Sequence, residues 1–170
     1  IVRNALTVLG NLAHRGAVGS EPNTGDGAGV LMQMPHAFLT QACAETGIHL
    51  PSSGEYGVGM VFLPPNPSQR GECEKVFEQI IHEEEQHLLG WRTVPTSNAS
   101  VGKTARLGEP FVRQVFIGRN SKLQDDIAFE RKLYVIRKRA ENAIRYSGIQ
   151  GGDYFYLTSL SYKTLVYKGM

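Results

Sequence analysis

The chain has 170 residues, 41% of them hydrophobic and 20% charged. That is a globular composition, with enough apolar mass for one domain core. Lys and Arg number 18 against 16 Asp and Glu, which excludes the strong basic excess of nucleic-acid and membrane-surface binders. No apolar run is long enough to cross a bilayer and no stretch has a secretory-leader pattern. A helical register already running at Ile1 predicts a chain cut from something longer.

Ile1, Val2, Ala5, Leu6, Leu9, Leu12 and Ala13 recur at helical spacing, and Gly16 and Gly19 end that helix. Residues 20–24 read as a loop. The apolar run 29–34, stopped by Pro35, predicts a buried strand, and Pro35 suits the first turn of a helix over 36–46. A turn-rich stretch, 50–56, precedes a strand over 57–63 that Pro64 and Pro65 stop. Over 71–87, Cys73, Val76, Phe77, Ile80 and Ile81 share one helical face opposite a Glu- and Gln-rich one, which puts this helix on the outside of the domain. Residues 88–94 predict a short strand, 96–108 a polar loop, and 111–117 a strand with few polar interruptions. The longest helix spans 125–146, with Phe129, Leu133, Ile136, Ala140 and Ala143 on one side. Asp125 and Asp126 sit at its start, where the helix dipole favours negative charge. The aromatic and β-branched runs 154–160 and 164–167 flank Ser161-Tyr162-Lys163 and predict a hairpin. Several strands are apolar on both alternating sets of residues, as strands covered on both faces are. The pattern alone defines a mixed α+β domain.

Several eye-catching features have plain readings. Cys43 and Cys73 lie in predicted helices with no His or glycine-rich turn beside them, so they read as buried free thiols in a reducing compartment. Gly25, Gly27 and Gly29 suggest a phosphate loop, but they follow a loop, precede a strand and lack the Lys-Ser or Lys-Thr pair. His82 and His87 are five apart and do not share a helix face as zinc-protease histidines do. Asn98-Ala99-Ser100 fits a glycosylation acceptor by chance, Trp91 reads as a core anchor, and the basic run 131–145 as a solvated helix face.

The motifs carry more. Leu12-Ala13-His14-Arg15-Gly16-Ala17 is followed by Thr24-Gly25-Asp26-Gly27-Ala28-Gly29. Further on stand Tyr56-Gly57-Val58-Gly59-Met60-Val61-Phe62-Leu63-Pro64, Gly90-Trp91-Arg92-Thr93-Val94-Pro95 and Glu109-Pro110. The chain closes with Phe155-Tyr156-Leu157-Thr158-Ser159-Leu160-Ser161 and Val166-Tyr167-Lys168-Gly169-Met170. Together these resemble the glutaminase domain of the glutamate synthase family, class II (N-terminal nucleophile) glutamine amidotransferases. The resemblance implies that residues 1–170 are part of one amidotransferase domain. Its fold would be a four-layer αββα sandwich of the N-terminal nucleophile hydrolase type, incomplete in this chain.

In that family glutamine releases ammonia, which travels to a distant barrel domain and adds to 2-oxoglutarate. FMN and an iron–sulfur cluster serve the reductive step elsewhere in the parent, so no cofactor is expected in this segment. The chemistry asks for a cysteine thiolate at the first position, its own α-amino group as base, an oxyanion hole, and an Arg and an Asp that clamp the substrate. The family's cysteine would lie upstream of Ile1, and its clamp and oxyanion residues beyond Met170. No catalytic residue is therefore assigned, and the chain alone is expected to be inactive and prone to self-association.

What the resemblance leaves here is the site's wall: His14, Arg15, Gly16, Gly25, Asp26 and Gly27. Arg15 would favour a nearby thiolate. The glycines, Gly29 among them, would let the backbone pass tightly beneath the site. Asp26 would orient Arg15 or cap its own turn; read without the resemblance, Arg15 and Asp26 serve equally well as a structural ion pair. The implied partners are glutamine and the remaining domains of the parent chain, with no nucleic acid and no membrane, in the cytoplasm or, in a plant or alga, the plastid. Two other readings stand beside this one: a non-catalytic binding or scaffold module that kept the shell without the nucleophile, and a small-molecule sensor built on residues 25–29.

Overall fold

The structure, a computed structural model, describes residues 2–17, 27–123 and 125–169. In chain order its elements are α1 (Val2–Asn11), a 3-10 turn (Ala13–Arg15), β1 (Ala28–Gln33), α2 (His36–Ala44), β2 (Tyr56–Leu63), α3 (Pro67–Glu83) and β3 (His87–Thr93). There follow α4 (Lys103–Leu107), β4 (Phe111–Gly118), α5 (Asp126–Tyr146), a second 3-10 turn (Gly152–Tyr154), β5 (Tyr156–Ser161) and β6 (Thr164–Gly169).

β2 is buried at every position and lies inside an antiparallel sheet of order β3-β4-β2-β5. A strand covered on both faces must be apolar on both, which is why its sequence reads as a continuous run. One face packs on α3 and α5 through Val61, Leu63, Phe77, Val115, Ile117, Phe129, Leu133 and Ile136. Gly57 and Gly59 permit this close fit. A Cβ at Gly57 would lie 2.5 Å from Leu133 Cδ1, and one at Gly59 2.7 Å from Val115 Cγ1. The other face of the sheet gathers Tyr56, Val58, Met60 and Phe116 with Leu39 and Cys43 of α2 and Leu165 of β6.

β6 pairs antiparallel with β1 as a separate two-stranded sheet over this second face. The fold is thus an incomplete sandwich in which a helical layer, a four-stranded sheet and a second sheet are in place. The outer face of the second sheet is bare: Leu31 is 66% exposed. The apolar side of α1 is bare as well, with no residue of that helix buried.

The element boundaries depart from the sequence expectations in instructive places. The helix expected over 71–87 is shifted to Pro67–Glu83. Pro67 supplies the fixed first-turn φ, and Asn66 Oδ1 accepts from the amides of Ser68 (2.9 Å) and Gln69 (3.3 Å). Glu85, at φ 56°, turns the chain so that His87 opens β3 instead of ending the helix. The polar stretch 96–108 contains the short helix α4. On α5, Asp125 caps Ile127 N at 3.0 Å, and Ile144, not Ala143, completes the buried face.

The largest correction concerns the hairpin: β5 pairs with β2 and β6 pairs with β1, so the turn between them carries the chain from one sheet to the other. The turn itself is held by Ser161 Oγ, which accepts from the amides of Lys163 and Thr164.

Candidate functional site

Of the two segments singled out first in the sequence, residues 12–17 and 27–29 lie among the described residues. The 3-10 turn Ala13–Arg15 ends on Gly16, whose amide donates to Ala13 O at 3.3 Å. His14 is exposed, its Nδ1 2.9 Å from Asn11 O. Gly25 and Asp26 lie outside the described residues, as does the side chain of Arg15, so an Arg15–Asp26 contact lies outside them too. Gly27 adopts φ 75°, a left-handed conformation that favours glycine, and feeds the chain into β1. At Gly29 a Cβ would stand 2.9 Å from Tyr167 O, so only glycine lets β1 and β6 approach at this register.

Opposite Gly29 is Lys168, and beside it opens a groove of about 290 Å³. Met60, Phe62, Val94, Val112 and Tyr167 form its apolar lining, with Asn98 and Glu109 at hydrogen-bond distance from each other (2.9 Å) along its edge.

A buried polar relay runs between the sheets. Gln114 is fully buried in the middle of β4. Its Oε1 accepts from Arg92 at 3.0 Å and its amide donates to the Tyr167 hydroxyl at 3.1 Å. One side chain thereby ties β3, β4 and β6 together, with its carbonyl and its amide both engaged. The sequence reading did not single it out. The available signal was a lone glutamine inside the apolar run 111–117.

Nearby, Tyr56 Oη lies 2.9 Å from His36 Nδ1, joining the start of α2 to β2. Burial, followed by the charge of Cys43, pushes the Tyr56 hydroxyl up to about 12.

Neither thiol is a usable nucleophile as placed. Both cysteines are fully buried, and burial pushes each up to about 11, against Arg92 for Cys43 and with Glu72 and Glu74 adding for Cys73. They lie on opposite faces of the four-stranded sheet. Among the described residues no three His, Cys, Asp or Glu come together to hold a metal ion, so the donor set of an iron–sulfur cluster does not fit what these residues assemble. His82 and His87 fall on different elements. Among the described residues no helix is long and apolar enough to cross a membrane.

Trp91 anchors the other face. It packs edge-on to Phe77, with ring centroids 5.7 Å apart, and its indole N–H donates to Glu78 at 2.8 Å. The basic face of α5 is tied to α3 by ion pairs: Glu84 receives both Lys132 and Arg139 at 2.7 Å, which holds its carboxyl below the usual range.

Two facing antiparallel sheets, the first backed by helices, fit an incomplete αββα sandwich of the N-terminal nucleophile hydrolase class. Comparison with known proteins narrows this further. The family model for class-II glutamine amidotransferases matches residues 1–170, and the chain belongs to that family. It is 50% identical to the glutamate synthase [NADPH] large chain of Bacillus subtilis over 170 residues, all of this chain and 11% of that one. It is 38% identical over 173 residues to the ferredoxin-dependent glutamate synthase of Pyropia yezoensis, again all of this chain and 11% of the relative. With the glutamate synthase [NADH] of Schizosaccharomyces pombe it shares 36% over 174 residues, covering 99% of this chain and 8% of that one. The chain thus spans about a tenth of the length of these relatives.

Proposed function

We propose that residues 1–170 are the N-terminal portion of the glutaminase domain of a glutamate synthase, and part of one such domain. In the parent polypeptide that domain releases ammonia from glutamine for the reductive conversion of 2-oxoglutarate to glutamate. The observation that carries this reading is the 50% identity running the whole length of the chain against one glutamate synthase.

On this reading a cysteine thiolate at the start of the mature polypeptide attacks the glutamine amide carbon. The carbonyl π pair moves to oxygen, the amide nitrogen leaves as ammonia after taking a proton, and water then releases glutamate from the thioester. The free α-amino group of that cysteine titrates near neutral pH and serves as the base.

The residues of this chain supply the wall. On the family resemblance His14, Arg15, Gly16, Gly25, Asp26 and Gly27 would form it, and of these Gly27 adopts the left-handed conformation that favours glycine. Arg15 favours the thiolate by its charge. FMN and the iron–sulfur cluster belong to other parts of the polypeptide. So do the substrate clamp and the oxyanion donors, which is why residues 1–170 alone are inactive. Glutamine and the remaining domains are the partners, and the compartment is the cytoplasm, or the plastid in a photosynthetic eukaryote.

The test is ammonia release from glutamine by the complete polypeptide, with the mature N-terminus sequenced from the same preparation. A leading cysteine and glutamine-dependent ammonia are the expected pair. A mature chain that starts without cysteine and binds without turnover would replace this reading with a non-catalytic module. Ammonia produced by residues 1–170 alone would refute the assignment of the nucleophile outside them.

A further inference from the structure

α5 turns one face to the four-stranded sheet and another away from it. Phe129, Leu133, Ile136, Ala140 and Ile144 form the buried face. At helical spacing on the outward face stand three exposed cations, Arg131, Lys138 and Arg145. Between and beside them Ile127, Tyr134, Val135 and Tyr146 are exposed as well, Tyr134 to 59% and Tyr146 to 80%. Over a 21-residue helix this makes a stripe about 30 Å long.

The charges of the helix are not all matched within the chain. Glu84, at the end of α3, takes Lys132 and Arg139, and Glu141 takes Arg137 and Lys138. Asp126 is engaged with Arg119, and Glu130 accepts from the amide of Tyr162. Among the described residues, Arg131 and Arg145 have neither an ion pair nor a hydrogen bond.

Beside the stripe a groove of about 400 Å³ runs between α3 and α5. Val76, Ile80 and Ala143 supply its apolar lining, and Asn142 joins it to the stripe. The charges in it, Glu83 and Arg139, neutralise each other. Tyrosine and arginine beside an apolar depression are the composition of an interface core.

Charge decides which occupant fits. A second copy of α5 laid antiparallel would set Arg131 against Arg145 and be repelled. Nucleic acid and membrane surfaces call for a strong basic excess, which 18 cations against 16 anions do not provide. An acidic protein surface satisfies both free arginines and can place an apolar side chain in the groove.

We propose that the outward face of α5, with the α3/α5 groove, docks an acidic segment of another domain of the same polypeptide. This rests on the reading above that the chain is part of a longer, glutamate synthase-like protein. The chain spans about a tenth of its relatives, so most of such a polypeptide lies outside residues 1–170. A narrow, partly charged stripe suits domains of one chain. Covalent linkage holds them at high effective concentration, and their interfaces are smaller and more polar than those of permanent dimers.

The test uses the complete polypeptide. A photo-crosslinking side chain in place of Tyr134 should capture an Asp- or Glu-rich peptide from outside residues 1–170, and mixed isotope labelling should show it to be of the same molecule. Arg131→Glu combined with Arg145→Glu should abolish that cross-link and speed amide exchange in the captured peptide at least about tenfold. Replacing a captured carboxylate by Lys in the same background should restore both. Lys122→Glu, at an exposed cation outside α5, should change neither. A cross-link confined to residues 1–170, one to a second copy or to another protein, or none at all would overturn the proposal. So would a cross-link indifferent to the double charge reversal. Glutamine-dependent ammonia release, read separately on the unmodified polypeptide, reports on the functional reading and not on this surface.

Discussion

The two faces of the four-stranded sheet show how differently one chain finishes its two sides. On the α3/α5 side the large apolar groups that face the sheet are covered: Phe77, Phe129, Leu133 and Ile136 are all fully buried. The helices that carry them are capped by Asn66 and Asp125 and clamped together through Glu84. On the other side the cover is a two-stranded sheet and α2, with Leu31 bare, Phe38 half exposed at 52%, and α1 burying nothing. The closed half draws its stability from contacts within residues 1–170; the open half presents the groove beside Lys168 and the bare outer face of the small sheet. Exposed apolar surface of this kind is, in general, where interactions are made.

That contrast can be broken or sharpened by mutation. Truncating Phe77 to Ala removes a ring packed edge-on to both Trp91 and Phe155. It should cost about 3–5 kcal/mol in denaturant unfolding, whereas Leu31→Ala on the open half should change the same midpoint by less than about 0.5 kcal/mol if nothing covers it. A large loss from Leu31→Ala in the complete polypeptide would mean that the open half is closed there.

Gly59→Ala forces a methyl to 2.7 Å from Val115 Cγ1 and Gly29→Ala one to 2.9 Å from a backbone oxygen. Each should destabilise by about 1–3 kcal/mol. The first should lower the unfolding midpoint as a whole, while the second should mainly raise amide exchange in β1 and β6. Gln114→Leu strands the guanidinium of Arg92 and the hydroxyl of Tyr167, at a cost of about 1–3 kcal/mol in thermal or chemical unfolding. Asn66→Ala, which deletes the α3 cap, should cost about 1 kcal/mol.

The pH dependence has a definite sign at each end. Cys43 and Cys73 are raised from 9.0 to about 11, and Tyr56 from 10.0 to about 12. The folded state therefore holds these protons more tightly than the unfolded one. Stability should be intact below pH 9 and fall as pH rises through 11 and beyond. Glu84 and Glu141 are lowered by their cationic partners. Their contribution is present above the ordinary carboxylate value of 4.5 and is lost as pH falls below it. A pH series of unfolding midpoints measures both limbs; a midpoint that rises between pH 9 and 11 would contradict the burial of the thiols.

How much of this was legible beforehand varies by residue. Leu133, Ile136 and Ala140 announced their face by helical spacing, and β2 announced burial on both sides by its unbroken apolar run; local periodicity reports which face is covered. Pro67 and Asn66 are equally local signals, yet apolar spacing starts α3 four residues late, because the first residue of its buried face, Cys73, lies more than a turn inside the Asn66 cap. Of the site wall, Gly27 has a conformation that explains its glycine, and His14 and Gly16 sit where the 3-10 turn ends; Gly25, Asp26 and the Arg15 side chain lie outside the described residues. The Arg92–Gln114–Tyr167 relay was invisible, because its members are 22 and 53 residues apart.

The sequence by itself determined the order of the strands and long helices, the burial of both cysteines and the family, since each is written in spacing, composition or motif. Only the tertiary structure decided that β5 and β6 part company into different sheets. A turn specifies that the chain reverses; which partner each strand then finds depends on the apolar face available to it and on which edges are already closed. In this chain the hydroxyls of Thr158, Ser159 and Ser161 meet the backbone groups of Thr164 and Val166 on one edge of β6, and β1 pairs along the other.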